Sequence, residues 1–177
     1  SAGADLNITI GGPNASDGNT INGTIQGISV ITSNVVGTQI TIRNNVLGNI
    51  TAIQEFGIQL FDVDAGTVIV AGNRISGDGT TASANTDHGI WVQNSGGANL
   101  DLTLGGPTAA DGNFIDGVAL DGIRIENAAV AGSQYTVRNN VIGMTSAVSG
   151  NGIEINNVDA GTVTIAGITI IGDGTTG

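Results

Sequence analysis

Apolar and polar residues alternate in short runs along the whole chain, and the runs recur. A Gly-Ile-x-apolar pattern stands at Gly27-Ile28, Gly57-Ile58, Gly89-Ile90, Gly122-Ile123 and Gly152-Ile153, at spacings of 30, 32, 33 and 30 residues. Between these lies a second alternating segment, as in Ile40-Thr41-Ile42, Thr67–Val70, Asp101–Leu104, Tyr135-Thr136-Val137 and Thr162–Ile165. A third, shorter run follows at Asn45–Gly48, Asn73–Gly77 and Asn140–Gly143. Alternation with period two, with glycine every few residues, excludes helix and predicts strands. Three short strands in about 30 residues predict one triangular coil, and the chain has room for about six. The expected architecture is all-β, a right-handed parallel β-helix forming a single solenoid domain over residues 1–177.

The long-range pattern is a duplication. Ser1–Thr24 aligns with Ser95–Val118 with 14 identities in 24 positions, and Ile25–Thr81 aligns with Leu120–Thr176 with 28 in 57. Residues 1–94 therefore form a first block and residues 95–177 a second, incomplete one. In a solenoid each coil stacks about 4.8 Å above the last, so equivalent positions form columns. Ile28, Ile58, Ile90, Ile123 and Ile153 are expected to form one inward column. Asn44 and Asn139, in the two Arg-Asn-Asn turns, are expected to turn inward and bond the turn backbone.

The segments Gly122-Ile-Arg-Ile-Glu-Asn and Tyr135-Thr-Val-Arg-Asn-Asn-Val-Ile-Gly143 resemble the repeat of the right-handed parallel β-helix superfamily that includes pectate lyases. The blocks Ile10-Gly-Gly-Pro … Asp-Gly-Asn-Thr-Ile-Asn-Gly23 and Leu104-Gly-Gly-Pro … Asp-Gly-Asn-Phe-Ile-Asp-Gly117 resemble repeat regions of large bacterial surface proteins of that group. The resemblance implies the fold; the superfamily hosts enzymes, adhesins and structural proteins alike.

Composition narrows the function. With 40% hydrophobic but only 3% aromatic residues, the core must be built from Ile, Val, Leu and Ala. A net charge of −11 with no lysine and four arginines leaves no basic footprint for nucleic acid. It also disfavours attraction to an anionic membrane, and no apolar run is long enough for a spanning helix. The absence of cysteine excludes disulfides and thiolate metal sites.

Candidate chemistry is sparse. Polysaccharide lyases of the superfamily use aspartates on Ca²⁺ and a basic residue, which points to Asp62 and Asp64 in Asp-Val-Asp-Ala-Gly-Thr and to Asp159 in the second copy. Asp62 is replaced there by Asn157. The two turns lie roughly 14 Å apart, too far to share an ion, so only Ca²⁺ at a single turn stays open. Alternation turns Arg124, Glu126 and Glu154 outward on the first strand's face, where an Arg124–Glu154 cross-strand ion pair competes with a two-carboxylate catalytic reading. Trp91, the only tryptophan, falls in the same outward column, beside Arg124, where an exposed indole could stack on a sugar. His88, just before that strand, reads as a turn residue. Thr41, Thr136 and Thr164 suit an ice-binding array, which Ile69 interrupts. Sequons at Asn7, Asn14, Asn22 and Asn49 all lie in the first block.

No polar cap or amphipathic helix is evident at either end, so the end surfaces are expected to be interaction sites. The expected function is a non-enzymatic extracellular or cell-surface stalk or adhesin. Its partner would be itself, head-to-tail through the terminal coils, either as a filament or within a longer array. The alternative is a carbohydrate-binding or polysaccharide-cleaving module at Trp91, Arg124 and Glu154. No cofactor is expected beyond the open Ca²⁺ case.

Overall fold

A computed structural model of the chain describes residues 6–32, 37–49, 53–63, 66–77, 88–94, 99–127, 132–145, 148–157 and 161–172. The first coil is formed by strands β1 (Asn7–Gly11), β2 (Thr20–Ile21) and β3 (Gln26–Ile31). The second contributes β4 (Thr38–Arg43), β5 (Val46–Leu47) and β6 (Phe56–Phe61), and the third β7 (Gly66–Ala71), β8 (Arg74–Ser76) and β9 (His88–Asn94). The second block repeats the plan with β10 (Leu100–Gly105), β11 (Phe114–Asp116), β12 (Ile123–Asn127), β13 (Gln134–Arg138), β14 (Val141–Ile142), β15 (Ile153–Asn156), β16 (Thr162–Ala166) and β17 (Thr169–Ile170).

Every third strand pairs in parallel with its equivalent one coil on. This gives three sheets: β1-β4-β7-β10-β13-β16, β2-β5-β8-β11-β14-β17 and β3-β6-β9-β12-β15. The molecule is a parallel β-solenoid, all-β among the described residues apart from two 3₁₀ turns at Ala15–Asp17 and Ala109–Asp111. The expected count of about six coils is corrected to about four turns, the coils stacked on both sides; among the described residues the first and last are each open on one side, and the last lacks a described third strand. Among the described residues no helix is long and apolar enough to cross a membrane.

Register turns the sequence period into columns. Ile28, Ile58, Ile90, Ile123 and Ile153 pair in succession; the first is 6% exposed, the next three are fully buried, and Ile153 near the open end is half-buried. Each such side chain contributes roughly 1.5–3 kcal/mol through burial. A parallel column, Ile8, Ile40, Val68, Leu102, Tyr135 and Val163, runs through the first sheet.

The asparagine ladder lies one residue beyond the expected position. Asn44 and Asn139 adopt left-handed backbone (φ 58° and 56°) and are only half-buried. Their Nδ2 groups donate to the carbonyls of Gly12 and Gly106 at 2.7 Å. The inward ladder is instead Asn19, Asn45, Asn73, Asn113 and Asn140. Each of the first four donates from its backbone N and its Nδ2 to the next coil's Oδ1, at 2.9–3.1 Å. At the two Arg-Asn-Asn corners the left-handed Asn44 and Asn139 swing the chain through the turn, so only the second Asn of each pair points inside.

Tyr135 is the column's exception. It is 1% exposed, and its hydroxyl has no hydrogen-bond partner. Burial pushes the phenol pKa up from 10.0, with the nearby Ser133 hydroxyl acting against it. The neutral form is favoured in the fold, so its contribution holds below about pH 10 and is lost as pH rises through the raised value. Tyr135→Phe is expected to raise stability in urea titrations at neutral pH by about 1 kcal/mol, and to widen that advantage in alkali. A destabilised variant would mean that the hydroxyl is bonded.

Candidate functional site

The outward side of the β3-β6-β9-β12-β15 sheet carries a column in which several charges meet an indole. Ser29, Gln59, Trp91, Arg124 and Glu154 stand in register, one per coil. The next outward column ends in Gln93, Glu126 and Asn156. At the strand starts the ladder passes over Gly27, Gly57 and Gly89, pairing Gln26 with Phe56 and Phe56 with His88. That skip brings Phe56 and His88 to the outer side, next to Trp91. In the following coils Asp121 and Asn151 hold the same place, each before its Gly-Ile.

These columns enclose a cleft of about 530 Å³, lined by His88, Trp91, Asp121, Arg124, Asn151 and Glu154, with Glu126 at its edge. The turns leading into β12 and β15 supply its walls through Leu120 and Gly150. Gly150 N donates to Leu120 O at 2.9 Å, which ties the two turns together.

Arg124 organises the floor. Its Nη1 reaches Glu154 Oε2 at 2.9 Å and Asp121 Oδ2 at 3.2 Å, and its Nε donates to Glu126 Oε1 at 2.8 Å. Nη2 bonds the same Glu126 oxygen. Burial by itself would lower the Arg124 pKa, but the bonds to Glu126 and Asp121 and the field of Glu154 hold it above its ordinary value. The expected Arg124–Glu154 pair is thus one arm of a cluster of three carboxylates on one guanidinium. Asp121 is 3% exposed and takes two further bonds at Oδ1, from Asn151 N (2.9 Å) and Nδ2 (3.1 Å).

His88 is not a surface turn residue: it opens β9 and is 2% exposed. Its Nδ1 lies 3.3 Å from both the backbone N and the Oδ2 of Asp121. Trp91 is half-buried between this imidazole, 5.6 Å away, and Phe56, packed edge-on at 6.3 Å. Its indole Nε1 is covered and has no hydrogen-bond partner.

The other candidates do not converge on this cleft. Asp62 occupies a left-handed turn position (φ 54°), as does its counterpart Asn157 (φ 54°). Asp and Asn both tolerate that backbone, so the exchange follows conformation without requiring a carboxylate. Asp64 and Asp159 lie outside the described residues. Among the described residues, no three His, Cys, Asp or Glu side chains are grouped to hold a metal ion. Thr41, Thr136 and Thr164 belong to an outward column on the first sheet that also contains Thr9 and Thr103, interrupted by Ile69. Of the sequon residues, Asn7, Asn14 and Asn49 are exposed and Asn22 is half-buried. Compared with protein-family models, curated proteins and solved structures, the chain matches none of them.

Proposed function

We propose that this protein is a non-enzymatic structural or adhesive β-solenoid that extends by stacking coil on coil, head to tail. The observation that carries this reading is the junction between the two blocks. There β10 and β11, which open the second block, pair with β7 and β8 of the first. The last coil, β16 and β17, is the second-block copy of β7 and β8, and it leaves Val163, Ile165 and Ile170 39%, 49% and 52% exposed. These stand where Val68, Val70 and Ile75 are fully buried under β10 and β11. At the opposite end β1 and β2, the copies of β10 and β11, present Ile8, Ile10 and Ile21 half-buried. The chain therefore carries both halves of a contact that it already makes once within itself.

Parallel stacking satisfies the open strand edges and buries the apolar columns together, which is the usual remedy for uncapped solenoid ends. Kinship with the pectate-lyase-like superfamily rests on the coil repeat. Placement at the cell exterior rests on the resemblance of the Gly-Gly-Pro … Asp-Gly-Asn blocks to those of bacterial surface proteins. The competing reading, a carbohydrate-active module, has the cleft beside Trp91 in its favour. Against a cleaving role, the cleft's arginine is engaged by three carboxylates.

Sedimentation velocity over a range of concentrations tests the reading. The native chain is expected to form larger species as concentration rises, and the Val163→Glu, Ile165→Glu double variant to remain a folded monomer. A native chain that stays monomeric throughout, or a variant that associates equally well, would contradict it.

A further inference from the structure

The duplication offers an internal comparison, because the same scaffold is built twice with different surfaces. On the first sheet the outward residues are largely unchanged between the blocks: Thr9, Gln39, Thr41, Arg43 and Thr67 recur as Thr103, Gln134, Thr136, Arg138 and Thr162, while Asn7 becomes Asp101 and Ile69 becomes Thr164. Inside the third sheet Ile28 and Ile58 recur as Ile123 and Ile153. On the outer side of that third sheet no residue is kept. Gln26, Ser29 and Ile31 become Asp121, Arg124 and Glu126, while Phe56, Gln59 and Phe61 become Asn151, Glu154 and Asn156. On the second sheet Thr20 and Arg74 become Phe114 and Thr169 while Val46 recurs as Val141, so divergence is complete only on the face where the cleft lies.

Fold stability does not account for this. The first block forms the same coils with no charge at these six positions. Burying Asp121 and half-burying three further charges there costs desolvation that the mutual pairing only partly offsets. Groups that a scaffold does not need, gathered in a concave site, mark a functional surface.

We propose that the cleft beside Trp91 binds a basic side chain, an ammonium or guanidinium group on an apolar stem. Three carboxylates face one guanidinium, so the site carries excess negative charge. Its only arginine is turned onto those carboxylates by its Nε, Nη1 and Nη2 and displays no donor set for an anion. A cationic head shares the Glu126 and Glu154 carboxylates with Arg124, and its stem lies against the half-buried indole, where cation–π attraction adds to the contact. The site lies on the side of the stack, away from the coil ends, and does not depend on head-to-tail assembly.

Trp91 is the single tryptophan, so its fluorescence reports on this cleft directly. Titration of the native chain with N-acetyl-lysine amide and N-acetyl-arginine amide is expected to give a saturable change. N-acetyl-norleucine amide, which keeps the stem and lacks the charge, is expected to give none. Glu154→Gln should weaken binding roughly three- to tenfold, while Arg124→Ser, which installs the first block's residue and frees the carboxylates, should strengthen it by a similar factor. Circular dichroism confirms that both variants keep the fold. A free amine such as n-butylamine binding as well as the blocked amino acids would assign the site to small cations, still within the proposal. A flat titration, an equal response to the norleucine derivative, a stronger response to N-acetylglucosamine, or weaker binding in Arg124→Ser would overturn it.

Discussion

Asn73→Ala is expected to lose about 3–5 kcal/mol of unfolding free energy, among the largest losses of any single truncation in this chain. Asn73 is fully buried at the centre of the ladder. Its Nδ2 donates to the carbonyls of Ile42 (2.9 Å) and Ala71 (3.2 Å) and to Asn113 Oδ1 (3.0 Å). Its Oδ1 accepts from the backbone N and the Nδ2 of Asn45, both at 3.0 Å. Truncation strands groups in two coils at once, and a buried donor or acceptor left without a partner costs about 1–3 kcal/mol. Water has no room to enter a column packed on the neighbouring apolar ladders without opening the stack. Asn19→Ala is the internal comparison. Asn19 is exposed at the first coil and only donates up the ladder, to Asn45 Oδ1, so about 1 kcal/mol is expected there. Urea titration of both variants checks the contrast, and losses of equal size would show that the ladder does not act as a buried unit.

Gly105→Ala is expected to be comparably damaging for a different reason. Gly105 has φ +90°, a backbone region that side chains rarely adopt, and a Cβ placed on it would lie 1.9 Å from the carbonyl oxygen of Arg138 in the next coil. The obstruction is backbone already held in the sheet by the β10–β13 pairing. Relief therefore requires the coil spacing to open. Left-handed strain adds about 1–2 kcal/mol, and the steric conflict brings the expected loss to about 3–5 kcal/mol. Gly11, its counterpart in the first block, has φ +81° and faces Arg43 O at the same 1.9 Å. Among the described residues β1 is paired on one side only, so in the unassembled chain Gly11→Ala should be milder. Thermal unfolding of the pair measures the difference. A Gly105→Ala variant with native stability would contradict the close stacking of these corners.

Much of this architecture is legible in the residues because a solenoid forces like onto like. The pleat sends every second side chain inward, and stacking requires an apolar side chain at that place in each coil, so the Gly-Ile motif marks the Ile28 to Ile153 column directly. The asparagine ladder was harder to place, since Arg-Asn-Asn offers two candidates per turn. The column at 18, 44, 72, 112, 139 and 167 interchanges Gly with Asn, whereas 19, 45, 73, 113 and 140 are all Asn, the run ending at Ile168. Asn44, Gly72, Asn139 and Gly167 share left-handed backbone, where Gly and Asn interchange; persistence of Asn is the mark of side-chain bonding. The cleft was half legible. Period-two register puts Trp91, Arg124 and Glu154 in one column. It assigns His88, Asp121 and Asn151 no place on that face, because simple alternation does not anticipate that the ladder passes over the glycines. A depression made by the turns before β12 and β15 is a tertiary feature that no local pattern encodes.

Electron microscopy of the purified chain at increasing concentration tests the central claim, that this solenoid presents at its two ends the halves of its own internal junction. Each copy contributes six strands to the β1-to-β16 sheet. Unbranched fibres with an axial step of roughly 28 Å per copy are therefore the expected result. Discrete particles at every concentration, or side-by-side clusters without that axial step, would contradict it.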